Sequence, residues 1–205
     1  MLNLFNPPSY VRILHASPDA PAVDVYIDRE KVAQNLAFAN LTDYLCLKPG
    51  RYNIQIFPAG SARTRPVLNE NVFVPPQSIY TIAAVNRLNN LNMFIITDPE
   101  NEPEPDTSYL RVAHLSPNAP PVNIRLDNRT LFRSLSYRDV SRYAVLRPAT
   151  YDLNVIPGGS DQSVLTIDNI VLQSSKYYTV YILGLVNEEP PLQALTPLDG
   201  RYEFI

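Results

Sequence analysis

The chain has little of what most catalytic sites are made from. Its 205 residues include 2 histidines, 1 cysteine, 2 methionines and no tryptophan. One cysteine excludes an intramolecular disulfide and any zinc centre made of several thiolates. Two histidines leave little material for a histidine-rich metal or catalytic centre. Glycine is scarce too, at 6 residues, and no P-loop or dinucleotide fingerprint is present, so no cofactor is expected. No stretch approaches the ~18 consecutive apolar residues of a membrane helix. The opening Met1-Leu2-Asn3-Leu4-Phe5-Asn6-Pro7-Pro8 lacks the basic and apolar regions of a leader, so the expectation is a soluble product made without one. With a net charge of −3, no global basic field is available to attract nucleic acid.

What is abundant is proline, at 20 residues, roughly twice the usual ~5%. Fixed proline φ and missing N–H groups discourage long helices and favour short strands joined by rigid turns. A hydrophobic share of 45% supports packed cores. The dominant feature is an internal repeat. Ser9-Tyr10-Val11-Arg12-Ile13-Leu14-His15-Ala16-Ser17-Pro18-Asp19-Ala20-Pro21 returns 99 positions later as Ser108-Tyr109-Leu110-Arg111-Val112-Ala113-His114-Leu115-Ser116-Pro117-Asn118-Ala119-Pro120. The offset persists through Tyr44/Tyr143 and Gly60/Gly159 and becomes 98 by Asn71/Asn169 and Tyr80/Tyr178. Two copies of one domain are expected, residues 1–97 and 108–205, joined by an acidic, proline-rich spacer at 98–107. The first copy carries 8 basic and 6 acidic side chains, the second 9 of each, and the spacer 5 acids. The net acidity therefore belongs to the spacer, which self-repulsion and proline should keep extended.

Each copy reads as β throughout. Val23, Val25 and Ile27 alternate with Asp24, Tyr26 and Asp28, as a half-buried strand requires. Val11, Ile13 and His15 share one face of the first strand, with Arg12 and Leu14 on the other. Asp28-Arg29-Glu30 and Asp127-Asn128-Arg129 read as hairpin turns. Lys48-Pro49-Gly50-Arg51 suits a type II turn with positive φ at Gly50, which Ala149 in the second copy would avoid. Residues 31–43 are the weakest strand assignment and could hold a short turn of helix. Tyr44-Leu45-Cys46-Leu47 and Tyr143-Ala144-Val145-Leu146 are apolar on both faces, which suggests a cover from the sister domain or another chain. Short strands with turn signals every 8–12 residues imply sandwiches of two sheets, about seven strands each.

The segment from Arg12 to Tyr26, with Leu47-Lys48-Pro49-Gly50-Arg51-Tyr52-Asn53-Ile54 after it, resembles bacterial domain-of-unknown-function family 4397 (DUF4397). The second motif also resembles the strand entry of prealbumin-like and immunoglobulin-like sandwiches. Family resemblance implies two tandem immunoglobulin-like or prealbumin-like all-β sandwiches, often secreted or envelope-associated. It brings no catalytic residues to carry over.

Candidate binding residues are those placed alike in both copies: Arg12, His15, Ser17 and Asp19, with Arg111, His114, Ser116 and Asn118. A histidine beside a Ser-Pro loop could serve as base or ligand, but each also ends an apolar face, where a core-edge imidazole bonded to the following loop is expected. Nucleophilic catalysis would need an oriented acid, and Asp19 becomes Asn118. Asp19, Asp24 and Asp28 could offer oxygen ligands to calcium, yet Asp24 and Asp28 lie about 13 Å apart on an extended strand at ~3.3 Å per residue, so no metal site is expected. Arg12 and Arg111 could hold a carboxylate; a cross-strand pair with Asp24 or Asp28 and their counterparts is the plainer reading. Cys46 reads as a buried, inert thiol.

With no catalytic centre expected, the reading is a non-catalytic structural or protein-interaction protein on an assembly, cell or spore surface. The 14 arginines and 13 tyrosines suit contact surfaces, so a protein partner or self-association is expected before a small molecule. The alternative is a small-ligand or glycan-binding module using the Ser-Pro-Asp/Asn-Ala-Pro loops. A hydrolase built on His15 or His114 stands third.

Overall fold

A computed structural model describes residues 7–62, 65–127 and 129–200. The opening Met1–Asn6, read above for a leader, and Asn128 of the second hairpin turn lie outside them. The chain forms two compact units, residues 1–100 and 101–205.

The first unit runs β1 (Ser9–His15), β2 (Val23–Ile27), β3 (Glu30–Leu36), β4 (Leu45–Leu47), β5 (Gly50–Pro58), β6 (Leu68–Val74), β7 (Ile79–Val85), a single 3-10 turn at Leu88–Asn90, and β8 (Asn92–Thr97). These make two four-stranded sheets, ordered β4-β1-β7-β8 and β3-β2-β5-β6. The second unit repeats the plan with β9 (Ser108–His114), β10 (Val122–Leu126), β11 (Arg129–Leu135), β12 (Ala144–Leu146), β13 (Ala149–Pro157), β14 (Leu165–Leu172), β15 (Lys176–Leu183), β16 (Gln193–Leu195) and β17 (Leu198–Asp199). Its sheets are β12-β9-β15-β16, with β17 also on β15, and β11-β10-β13-β14. The chain is thus all-β, with eight and nine described strands where about seven per copy were expected.

Alternation explains the packing. Val11, Ile13, Ile82 and Ala84 from one sheet meet Val23, Val25, Ile54, Ile56 and Val72 from the other, and Leu110, Val112, Val122, Ile124, Leu153 and Val180 do the same in the second unit. Each core draws only on its own unit. The first strand of each unit departs from a one-sided pattern. β1 sits between β4 and β7, runs parallel to β7, and is buried on both faces from Val11 to His15. That burial carries Arg12 and Leu14 inside along with Val11 and Ile13, and it sets the problem that the candidate site solves.

The turns follow local chemistry in part. Asp28 and Arg29 both take positive φ, 47° and 75°, as a type I′ hairpin requires. Asp28 Oδ1 accepts the Asn53 N–H at 2.8 Å and so pins that turn to β5. Residues 30–36 do form a strand, with a bulge and positive φ at Asn35. The type II turn expected at Pro49-Gly50 does not form. Gly50 is absent from the positive-φ glycines and instead opens β5 opposite Val74, as Ala149 opens β13 opposite Leu172. Here the chain passes from one sheet to the other, so no tight reversal is needed and glycine and alanine serve equally. Cys46 is exposed, not buried. It sits on a three-residue edge strand whose Leu45 and Leu47 turn partly inward, and its counterpart Val145 is 64% exposed.

The spacer is engaged at both ends. Asp98 is buried. In the second unit Thr107 donates to the Glu104 carbonyl, and Ser175 N–H donates to the Thr107 carbonyl. Two self-contained cores predict that residues 1–100 and 101–205, expressed separately, each unfold in one cooperative thermal transition. Gradual, non-cooperative melting of both fragments would show that neither core suffices.

Candidate functional site

Arg12 is 1% exposed on the outer face of β1, and a buried guanidinium must be matched by a carboxylate and hydrogen bonds. The match is local and layered. Arg12 Nε donates to Thr81 Oγ1 on β7 at 2.7 Å, and Thr81 Oγ1 donates to Asp98 Oδ2, just after β8, at 2.6 Å. Tyr44 caps the cluster. Its hydroxyl donates to Asp98 Oδ2 at 2.6 Å, and its ring lies 4.4 Å from the Arg12 guanidinium carbon, a cation–π contact. The parallel β1–β7 register, Arg12 opposite Thr81, brings the first two together. The β7–β8 register, ending Tyr80 opposite Thr97, brings up Asp98.

The second unit repeats the arrangement. Arg111 Nε donates to Thr179 Oγ1 at 2.6 Å and Arg111 Nη2 lies 3.3 Å from Asp199 Oδ2. Thr179 and Tyr143 both donate to Asp199 Oδ2, and the Tyr143 ring stands 4.6 Å from the guanidinium carbon. The cross-strand pairing of Arg12 with Asp24 or Asp28 is therefore corrected. Those carboxylates lie on the other sheet, and the partner is the acid at the end of the last strands. Asp24 instead pairs with Lys31 at 2.9 Å and accepts the Asn35 N–H, capping the β3 bulge. Lys31 first, and that N–H second, hold the Asp24 carboxyl below the usual range. Asn123 makes the same bond to Ser134 N–H.

The histidines close the inner end of β1 and β9. His15 Nδ1 accepts the Ser17 N–H at 3.4 Å, which places the proton on Nε2, 3.0 Å from the Pro21 carbonyl it donates to. One imidazole thus ties both ends of a loop whose two prolines supply no N–H. His114 Nε2 faces the Pro120 carbonyl at 3.3 Å. Phe38 and Tyr137 meet the two rings edge-on. Burial is the first cause that lowers the pKa of both imidazoles from the ordinary 6.5. Ser17 and Ser116 are wholly buried, and their hydroxyls have no hydrogen-bond partner, so neither hydroxyl is bonded to its histidine. Asp19 Oδ1 accepts the Leu88 N–H and Asn118 Oδ1 the Val186 N–H. Both latch the Ser-Pro loop to the same neighbouring loop, which explains why Asp and Asn exchange there. The eight residues picked from the sequence therefore fall into two kinds of cluster per unit, Arg on the outer face and His, Ser and Asp or Asn at the loop end.

Thr81, Tyr44 and Asp98, with their counterparts, were not singled out in the sequence. Thr81/Thr179 and Tyr44/Tyr143 keep the repeat offset and so carried a usable signal. Asp98/Asp199 are 101 apart, because extra residues after β15 break the register. Among the described residues no three His, Cys, Asp or Glu side chains come together as a metal site, and no helix is long and apolar enough to cross a membrane.

Two tandem β-sandwiches, each built around a buried Arg–Thr–Asp–Tyr cluster, define a repeat protein of one module. The chain belongs to the DUF4397 family (Domain of unknown function), whose model matches residues 9–125 and 108–200. No curated protein is significantly similar in sequence. A solved structure described as "Alpha-glucan binding by a streptococcal virulence factor" aligns with 90% of this chain and 95% of its own, at 11% identity and a TM-score of 0.24, a likeness too slight to carry argument.

Removing one member of a buried ion pair strands the other. Asp98→Ala should therefore cost about 3–5 kcal/mol, whereas Arg12→Met with Asp98→Leu should recover most of that loss. Equilibrium denaturation of the three proteins checks this; a single variant as stable as the parent would refute the cluster's role.

The histidines make a separate prediction. Their pKa values are lowered on folding, so below 6.5 the unfolded chain binds protons that the folded chain refuses. Stability should fall as pH drops from 6.5 toward the lowered folded values, by up to about 1.4 kcal/mol per pH unit for each histidine. Denaturation between pH 8 and 5 should show this slope. The double variant His15→Asn, His114→Asn should flatten it.

Proposed function

We propose that the chain is a non-catalytic structural or protein-interaction protein, displayed on an assembly, cell or spore surface, with another protein or a second copy as its partner. The observation that most supports this reading is where the polar groups common to both copies are spent. Arg12 and Arg111 are buried against carboxylates, His15 and His114 staple loops, and Asp19 and Asn118 latch them. A reaction centre kept in duplicate would leave a nucleophile, base or acid facing a substrate, and these groups face their own fold. Among the side chains that do reach solvent are large apolar ones such as Phe73, Val145 and Val171, the material of contact surfaces.

The test is made on the protein in the cells that produce it. An affinity-tagged full chain should be reachable by antibody on intact cells or spores. A short amine- and carboxyl-reactive cross-linker should join it to protein. A chain confined to the cytosol and never cross-linked to protein would overturn the proposal, as would turnover of a substrate that His15→Ala abolishes without loss of stability.

A further inference from the structure

In the second unit a groove of about 700 Å³ lies between the edges of the two sheets, with Leu126, Leu131, Ala144, Val145, Leu146 and Tyr151 as its apolar lining. Its remaining lining residues are Arg129, Arg147 and Asp127. β11 and β12 are the terminal strands of their sheets, and neither has a sheet neighbour on this side.

The sequence explains the opening. Ala144 stands where the first copy has Leu45, and Leu45 packs against the first core together with Leu47 and Tyr52. Exchanging leucine for alanine takes volume out of the gap between the sheets. The charge changes as well, because Arg129 and Arg147 stand where the first copy has Glu30 and Lys48. Asp127 sets one negative charge against these two cations, so the rim keeps a net positive charge.

We infer that this groove binds an extended segment of a partner polypeptide in which acidic and apolar side chains alternate. Alternation sends every second side chain to one face of a strand. Apolar ones would then cover Ala144, Leu146 and Leu131, with a carboxylate set against Arg129 and Arg147. The edge strands favour a peptide over a lipid: an extended backbone can use their outward N–H and C=O groups by strand addition, whereas a fatty acid leaves them unmatched. The inference rests on the protein-contact reading above and gives it a place and a chemistry.

The test uses the full 205-residue chain, a blocked hexapeptide alternating valine and glutamate, the same peptide with lysine for glutamate, and sodium laurate. Isotope-edited NMR should show saturable shifts at Leu131, Ala144 and Val145 with the glutamate peptide only. Ala144→Leu and Arg129→Glu, each importing the first copy's residue, should weaken binding at least fivefold without lowering the melting temperature. No saturable shift, equal binding of the lysine peptide, or binding of laurate alone would each overturn the inference. In cells the two proposals separate. Cross-links to protein that persist undiminished in the Ala144→Leu, Arg129→Glu double variant would sink the groove and spare the protein-contact reading, whereas absence of protein cross-links from the parent chain would sink that reading itself.

Discussion

The whole architecture depends on a guanidinium buried in a strand that, from Val11 to His15, has no face in water. β1 lies between β4 and β7 and is buried on both faces from Val11 to His15, and Arg12 goes in with it. A charge of that kind is tolerable only with a carboxylate close by and its N–H groups bonded. Asp98 answers it from the end of the last strand, Thr81 relays between them, and Tyr44 closes the cluster from the segment before β4. Four distant stretches of chain, from both ends of the unit, must therefore arrive together. Such a cluster adds little net stability compared with well-packed hydrophobic residues, but it strongly penalises any arrangement that leaves one member alone.

That penalty bears on the parallel pairing of β1 with β7. Register slips in a sheet exchange its faces, and an apolar strand buried on both sides has little alternation to resist them. Arg12 opposite Thr81, and Arg111 opposite Thr179, supply what apolar alternation does not. A slip of one residue would carry the guanidinium to the inner face, among Val25, Ile56 and Val72, where the cores hold no carboxylate.

Much of this was legible in the chain, and the failures have physical causes. The repeat, the all-β character and the hairpin at Asp28-Arg29 follow from motifs whose meaning is local. The histidine's role as a loop staple was legible too, since His15 stands beside a Ser-Pro loop at the end of an apolar face. The Arg12 partner was not, because a carboxylate 86 residues away is fixed by sheet order and not by spacing. Asp98 was masked further by its neighbours: amid Pro99, Glu100, Glu102 and Glu104 it reads as one more spacer acid. Pro49-Gly50 misled for the opposite reason. Its residues suit a tight turn, but the chain there crosses between sheets and asks only that a strand begin. Cys46 misled because β4 is an edge strand, and an edge leaves an apolar side chain outside.

Duplication separates what the fold requires from what each copy is free to change. Where Asp19 becomes Asn118, the side-chain oxygen still accepts a backbone N–H, so the exchange is neutral to the latch. Where Asp24 becomes Asn123, the bulge cap survives and only the Lys31 ion pair is lost. Where Leu45 becomes Ala144, a groove lies between the sheet edges, even though Leu131 and Phe132 stand where the first copy has the smaller Val32 and Ala33. A leucine there would bury more apolar surface, at roughly 25 cal/mol per Å², so folding alone does not favour the alanine. The arginine cluster recurs in both modules, and so does the histidine contact to a loop carbonyl, while only His15 also accepts a loop N–H. The edge of the second module differs from the first in volume and in charge at once, and that paired change is what a surface shaped by something outside the fold would acquire.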